Sequence, residues 1–367
     1  MGVTRLIKIE SEQMFVEELK NTKEWEDFLK VTPGATFYHS IKWKNVIEKS
    51  FSYPAIHLVV RDTNGAVVGI CPGFVLKSGP LKMYVSMPHS DFGGPVIDKS
   101  HIQKASLSLL FSIKGFCSDR GIAYAKIRFT GDQSVQFFKL PSSHEDRSKG
   151  TMEIDLNATP SDFIWNKIFS HNRRWKIKRF ERDGFQAQEA RTKCDLRDFY
   201  NLYYENMKHI GASPYPYKFI ENMWIILHPE NLRVWLVGKE KRIGGIVCFK
   251  YGQKTYLVYA GVDRNQSYSR YSVIPYLLWK EIKKAEEEGC RYVSLGGTPS
   301  DPKNPYYLQK MSFGSSFNPQ EVVWCAFSST GRILLQTRAK TISAWKTIRN
   351  FLPSNFKRSL ESKLSRF

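Results

Sequence analysis

One pattern runs twice through this chain. Ala66-Val67-Val68-Gly69-Ile70-Cys71 opens an apolar run behind the turn Asp62-Thr63-Asn64-Gly65, and a second run covers Leu81 to Met87. A helical stretch follows from Ile102 to Ser118, and the unit closes on Arg120-Gly121-Ile122-Ala123-Tyr124-Ala125-Lys126-Ile127. Lys241-Arg242-Ile243-Gly244-Gly245-Ile246-Val247-Cys248 then opens the same order again. Tyr256 to Tyr259 supplies its second run and Val273 to Glu288 its helix, and it closes on Glu288-Gly289-Cys290-Arg291-Tyr292-Val293-Ser294-Leu295. Each copy reads strand, turn, strand, strand, helix, glycine, strand. Two long units imply two similar domains in tandem, because a solenoid needs shorter units in larger number. With 367 residues each half can bury its own core. The expected fold class is α/β of the α+β type: two tandem domains, each a mixed, mostly antiparallel sheet flanked by helices, over 1–150 and 151–330. A basic helical tail covers 331–367.

Within that frame the spacing of apolar residues predicts a helix over Glu12 to Lys30, broken by Thr32-Pro33-Gly34, and a short helix ending near Ser50. Asn64-Gly65 between apolar runs predicts a hairpin. The polar segment Leu140 to Gly150 reads as a linker. A helix is expected from Pro160 to Arg182, stopped by Asp183-Gly184, and two more over Leu196 to Ile210 and Phe219 to Leu227. Gly296-Gly297-Thr298-Pro299 reads as a turn at a strand end, Asp301 to Phe317 as an irregular loop, and Glu321 to Phe327 as a closing strand. In the tail, Ile333, Leu334, Ile342, Trp345, Ile348, Phe351 and Leu352 recur at helical spacing among nine basic residues and the single acid Glu361. That pattern is a basic amphipathic helix, which either packs as a solvated terminal helix, back on the first domain, or docks on an anionic membrane.

The formal charge of +20 favours polyanionic partners: nucleic acid, anionic lipid or a phosphorylated substrate. The six cysteines are scattered, with no C-x-x-C pair, so neither disulfides nor structural zinc are expected. No apolar run approaches the roughly 20 residues that span a bilayer, and Met1 to Glu10 lacks the order of a signal peptide. The expected location is cytoplasmic, with peripheral contact on the inner face of the membrane if the tail docks there.

An ordered set of phrases carries a resemblance: Phe37-Tyr38-His39-Ser40-Ile41-Lys42-Trp43, Met87-Pro88-His89-Ser90-Asp91-Phe92-Gly93-Gly94-Pro95-Val96-Ile97-Asp98, His171-Asn172-Arg173-Arg174-Trp175-Lys176-Ile177-Lys178-Arg179, Tyr259-Ala260-Gly261-Val262, Leu277-Leu278-Trp279-Lys280-Glu281-Ile282, Gly289 through Gly297, and Lys310-Met311-Ser312-Phe313-Gly314. Together, over Phe37 to Phe317, these resemble the FemAB-like family of the GNAT acyltransferase superfamily, which adds amino acids to peptidoglycan precursors. The family's twin-GNAT architecture matches the duplication. Three departures mark a divergent member. The family's Phe-Lys pair reads Gln309-Lys310, a family lysine falls on Ile47, and the coiled-coil arm of some members is absent between Phe180 and Gln188.

The resemblance implies an N-acyltransferase that moves an aminoacyl group from aminoacyl-tRNA to an amine of a phosphorylated or lipid-linked, peptidoglycan-like envelope precursor. The tRNA is a co-substrate, and no bound cofactor or metal is expected. Such a donor is already activated, so positioning and oxyanion stabilisation supply much of the rate. Lys310 is the first choice for stabilising negative charge, although a loop lysine is by residue type more often merely solvated. Asp91 and Asp98 flank Gly93-Gly94-Pro95, and either could orient the amine or take its proton; ordinary turn chemistry is the alternative. Arg173 and Lys176 share a helix face suited to phosphates or to simple solvation. The resemblance adds Trp43 to the substrate-binding set. Tyr256, Tyr259, Tyr306 and Tyr307 are expected to line the groove, and Gly296 and Gly297 to let backbone approach a substrate; packing for the tyrosines and a tight turn for the glycines are the alternatives. Two rival functions stand beside this one: an acyl-CoA-dependent acyltransferase on an envelope sugar or polysaccharide, and a non-catalytic RNA- or membrane-binding scaffold. The stretch Asn265 to Ser272 contains no glycine, unlike a loop built to hold a pyrophosphate on its backbone N–H groups, which weighs against CoA.

Overall fold

The computed structural model describes residues 14–129, 143–264 and 272–337. The first half contains β1 (Phe15–Glu18), α1 (Thr22–Val31), α2 (Ile41–Phe51), β2 (Leu58–Arg61), β3 (Val67–Cys71), β4 (Phe74–Ser78), β5 (Leu81–Val85), β6 (Val96–Ile97), α3 (Ile102–Asp119) and β7 (Ile122–Phe129). Next come β8 (Ser143–Asp146), β9 (Lys149–Asp155), the short α4 (Ser161–Phe163), α5 (His171–Arg182), β10 (Gln186–Glu189), α6 (Lys193–His209) and α7 (Tyr217–Leu227). The chain continues through β11 (Leu232–Gly238), β12 (Arg242–Tyr251), β13 (Lys254–Val262), α8 (Val273–Glu287), β14 (Tyr292–Pro299), α9 (Pro305–Met311), β15 (Ser316–Pro319) and β16 (Glu321–Ala326).

Local chemistry sets several boundaries differently from the sequence expectation. The Asn21 side chain accepts from the N–H groups of Lys23 and Glu24 and starts α1 there. The expected helix from Glu12 therefore gives way to strand β1, paired with β2. The helix expected over Pro160 to Arg182 is interrupted at Phe169-Ser170, where Ser170 Oγ caps α5 by accepting from Arg173 N–H. The expected linker holds β8 and the start of β9, and the expected loop over 301–317 holds α9, started by Asn304 with Pro305 in its first turn.

The strands form three sheets: β1-β2-β3-β6, β4-β5-β7-β16-β8, and β10-β11-β12-β13-β14-β9-β15. In each half the strand before the long helix and the strand after it lie in parallel, β5 on β7 and β13 on β14, as a helical crossover permits. The outer neighbours are exchanged. β9, which follows the first unit, pairs antiparallel with β14 of the second. β16, which follows the second unit, pairs antiparallel with β7 of the first, from Glu321 opposite Phe129 to Ala326 opposite Tyr124. The strand expected to close the 151–330 domain therefore completes the first half instead, because β9 already occupies the flank of β14.

One continuous apolar cluster joins the halves: Phe37, Tyr38, Trp43 and Met87 pack with Phe199, Phe219, Phe249 and Tyr256. Behind the second sheet, buried Glu281 accepts from Thr255 Oγ1 (2.6 Å), Trp235 Nε1 (2.7 Å) and Arg233 Nη1 (3.1 Å), tying α8 to β11 and β13. After β16, Leu335 packs against Ala123, Tyr124 and Trp324 of the first half, as a tail returning to that half requires. The rest of the expected basic helix, from residue 338 onward, and residues 265–271 of the glycine-free stretch lie outside the described residues.

Candidate active site

The site forms where both sheets open. In the first half β5 ends at Val85, and pairing on β3 resumes only with Val96 and Ile97. The intervening loop carries two non-glycine residues in the left-handed region, Met87 (φ 38°) and His89 (φ 57°). Such conformations persist only where surroundings over-determine them, and here they do. Ser90 Oγ donates to the carbonyls of Met87 and Phe92, Arg128 Nη1 to that of Met87 (3.1 Å), and His39 Nε2 to that of Gly94 (3.1 Å). The His39 tautomer is fixed, because Nδ1 accepts the Thr36 N–H at 3.0 Å and leaves Nε2 as the donor. Burial holds His39 down at about 4, so the ring is neutral at physiological pH.

In the second half β13 and β14 pair only as far as Tyr256 and Ser294. A bulge between Ser294 and Gly297 then lifts β14 from β9, so Leu295 and Gly296 fall between the two ladders. The first half's loop reaches into this opening. A cavity of about 590 Å³ results, lined from the first half by Tyr38, His89, Ser90, Asp91 and Arg128, and from the second by Tyr215, residues 257–260, Ile274, residues 295–297, Tyr306 and Lys310.

Lys310 Nζ donates to the carbonyls of Gly296 (3.1 Å) and Gly297 (2.6 Å), which leaves one of its three N–H groups for a ligand. Asp91 lies on the same spot from the other half: a Cβ built on Gly297 would stand 3.2 Å from Asp91 Oδ1, and one built on Gly296 would be 4.0 Å from both Asp91 Oδ2 and Lys310 Nζ. Gly296 itself has φ 76°, so its lack of a side chain serves both the backbone and the cavity. Burial pushes the Lys310 ammonium down to about 8, opposed by the Asp91 charge. Burial also raises Asp91, against Lys310, Arg128 and Lys149, which favour its ionised form. His89 stacks on Phe51 (centroids 4.3 Å) and contacts the Tyr215 hydroxyl through Nδ1 (3.1 Å). Burial, helped by Arg128, holds it at about 4, so it too is neutral.

Of the residues expected from sequence, the cavity brings together Lys310, Asp91, Gly296, Gly297, Tyr259 and Tyr306. Asp98 is elsewhere. It caps the turn leading into α3, accepting from the Ser100 N–H and hydroxyl, and these bonds lower its pKa. Trp43 is fully buried against Phe37, Tyr38, Phe219 and Phe249, and Tyr256 is buried against Tyr38. Tyr307 packs on Phe317, so of the two tyrosines expected there only Tyr306 lines the cavity. The reason is helical: Tyr306 and Lys310 are i and i+4 on α9 and share a face, which an irregular loop would not dictate. The predicted phosphate face of α5 is also reassigned in part. Arg173 donates to Ser312 O (2.6 Å) and Oγ (2.7 Å) and lies over the Phe313 ring, so it braces the end of α9. Lys176 is half-buried on α5 and lines no part of the cavity. Gly296 and Gly297 lie inside β14, at its bulge, rather than in a turn after it.

Sequence reasoning missed Arg128, His89, Tyr38 and Tyr215. A signal for Arg128 was present: aligning the two copies on Gly121 and Gly289 puts it opposite Gly296.

The parallel pair β13–β14 thus splays beyond Tyr256 and Ser294, α8 crosses between its strands, and the cavity lies at the splay. Residues 169–306 match the family described as an acetyltransferase (GNAT) domain. The fold is similar to the crystal structure of FemX, with a TM-score of 0.67 and 14% identity over 86% of this chain and 97% of that one. It is also similar to the C-terminal domain of a putative lysylphosphatidylglycerol synthetase from Agrobacterium fabrum (TM-score 0.56, 10% identity, 86% and 94% covered). A tandem GNAT protein from the clavulanic acid biosynthesis pathway gives a TM-score of 0.56 at 11% identity, with 86% and 98% covered. The sequence matches none of the curated proteins. Residues 169–306 thus carry a GNAT acetyltransferase domain, which supports an acyltransferase, and the whole chain has the fold of FemX and of tandem GNAT proteins. No helix among the described residues is long and apolar enough to cross a membrane.

Proposed function

We propose that the protein transfers an aminoacyl group from aminoacyl-tRNA to an amine of a peptidoglycan-like envelope precursor, at the cavity between its halves. The observation that carries this reading is the convergence of Lys310 and Asp91 on Gly296-Gly297 from opposite halves. An amine entering there attacks the ester carbonyl of the donor, and the new C–N bond places negative charge on the carbonyl oxygen. Lys310, fixed by two backbone carbonyls, offers its remaining N–H to that oxygen. Asp91 accepts the proton released by the amine and returns it to the ribose oxygen as the C–O bond breaks. The resting amine is an ammonium that gives one proton to solvent before it attacks, and the half-buried Asp91 carboxylate suits its capture.

The charge of +20 supports a polyanionic donor, and the glycine-free stretch Asn265 to Ser272 counts against CoA. The comparisons bear on the choice only by analogy, since FemX and the lysylphosphatidylglycerol synthetases share the fold. An acyl-CoA donor is the second reading, favoured by the cavity's place at the β13–β14 splay. A scaffold without catalysis is the third. Binding of bulk charged tRNA over a salt series, with acetyl-CoA as competitor, separates them. The aminoacyl reading expects tight, steeply salt-dependent binding untouched by acetyl-CoA. Weak tRNA binding with clear acetyl-CoA affinity would replace it with the second reading.

A further inference from the structure

We propose that Arg128 is an anion subsite of this cavity, and that the acceptor amine belongs to a molecule whose carboxylate docks on the free edge of the guanidinium. The inference rests on the amine-acceptor reading above and names what else the acceptor carries.

Arg128 stands near the end of β7, at the repeat position equivalent to Gly296, and lines the cavity. Its Nη1 is committed to backbone, donating to Met87 O at 3.1 Å and Ser86 O at 3.4 Å. Its own backbone N–H is held by Ser86 Oγ at 2.9 Å. The guanidinium plane is therefore fixed by the strained loop that also carries Asp91. Its Nε and Nη2 form no hydrogen bond or ion pair among the described residues, and neither is a sealed, unpartnered polar atom. Those two nitrogens make up the edge that presents parallel N–H groups, the geometry that grips a carboxylate bidentately. Burial lowers the Arg128 pKa, and Asp91 and Tyr215 oppose that effect, so the free edge lies in a partly desolvated setting where a charged partner counts for more than in water.

The cavity's charged groups are Arg128, Lys310 and Asp91, two cations and one anion. Lys310 is already bonded to two carbonyls, and Asp91 is the natural partner of the attacking amine. What is left is a cation with an open bidentate edge. The aminoacyl carboxyl of the donor cannot fill it, because it is esterified. The acceptor can, if it is an amino acid or a residue with a free carboxylate near its amine.

Ligand-observed NMR titration of the full-length protein tests this without any acyl donor, so its result is independent of the tRNA-versus-CoA question. The probes are L-lysine, which offers amines at two distances from its carboxylate, L-lysinamide and inorganic phosphate. The proteins are the wild type, Arg128→Lys and Arg128→Gln, each with a calorimetric Tm to show that it folds. Lysine should bind at least about tenfold more tightly than lysinamide, as a charged hydrogen-bonding pair is worth. Arg128→Lys, which keeps the charge but loses the fork, should shrink that preference, and Arg128→Gln should erase it. Equal, saturable binding of lysine and lysinamide overturns the subsite while leaving the amine-acceptor reading standing. Binding of neither overturns both. Phosphate competing through Arg128 as well as lysine does overturns the carboxylate assignment.

Discussion

At the scale of the residue, the account turns on groups held away from their ordinary chemistry. Lys310→Ala should lower kcat by about 10²–10³-fold, the loss typical of one oxyanion donor, with an unchanged Tm. Because burial holds Lys310 at about 8, its cation is lost well below the usual lysine range of 10.5. Activity that needs the ammonium should fall as pH rises through about 8, and Lys310→Arg should move that limb upward in a pH–rate profile. The stability sign is opposite. Between about 8 and 10.5 the unfolded chain binds more protons at this lysine than the native state does, so this group makes the fold more stable as pH rises across that window. Gly297→Ala places a methyl 3.2 Å from Asp91 Oδ1. It should cut turnover without a comparable loss of stability, measured by initial rate against calorimetric Tm; an unchanged rate would remove Asp91 from the reaction. Much of this was legible in the residue string. Lys310, Asp91 and the glycine pair stood in phrases that resemble a known family, whereas Asp98 and Trp43, from the same phrases, proved to be a cap and a core residue. Residue type cannot separate these roles, because burial and hydrogen-bond partners decide them.

Elements carry those residues into place, and their boundaries explain where sequence reading failed. α9 has only seven residues, too few for a hydrophobic period to register, so it read as a loop. The Asn304-Pro305 pair at its start was the visible clue. The consequence was that both Tyr306 and Tyr307 were expected in the groove, whereas only Tyr306 lines the cavity. α9 is braced by Arg173 from α5. Arg173→Met should therefore lower kcat through displaced Lys310 and cost about 1–3 kcal/mol of stability, seen as a lower denaturant midpoint. If Arg173 instead held substrate phosphate, the same variant would raise KM and leave stability alone. α8 depends on the Glu281 cluster. Glu281→Ala removes the acceptor shared by Thr255, Trp235 and Arg233, although Arg233 keeps Glu288 and Glu189, and should cost about 1–3 kcal/mol, seen as a lower denaturant midpoint.

Across the whole molecule, the exchange of β9 and β16 and the shared cluster around Phe37 and Phe249 make two repeats one body. The duplication itself was plain in the sequence, since each unit's hydrophobic order is local. The exchange was not, because antiparallel partners are chosen by which strand edges are left open in three dimensions. The cavity is a consequence of that union: Arg128 and Asp91 come from the first half and Lys310 from the second, and neither half alone has a complete site. Calorimetry should show one cooperative unfolding transition rather than two. The most direct test of the central claim is transfer of radiolabel from bulk aminoacyl-tRNA to amines in an envelope-precursor fraction, wild type against Lys310→Ala. The account predicts transfer by the wild type and its loss by about 10²–10³-fold in the variant, with tRNA affinity and Tm retained. Undiminished transfer by Lys310→Ala would contradict it.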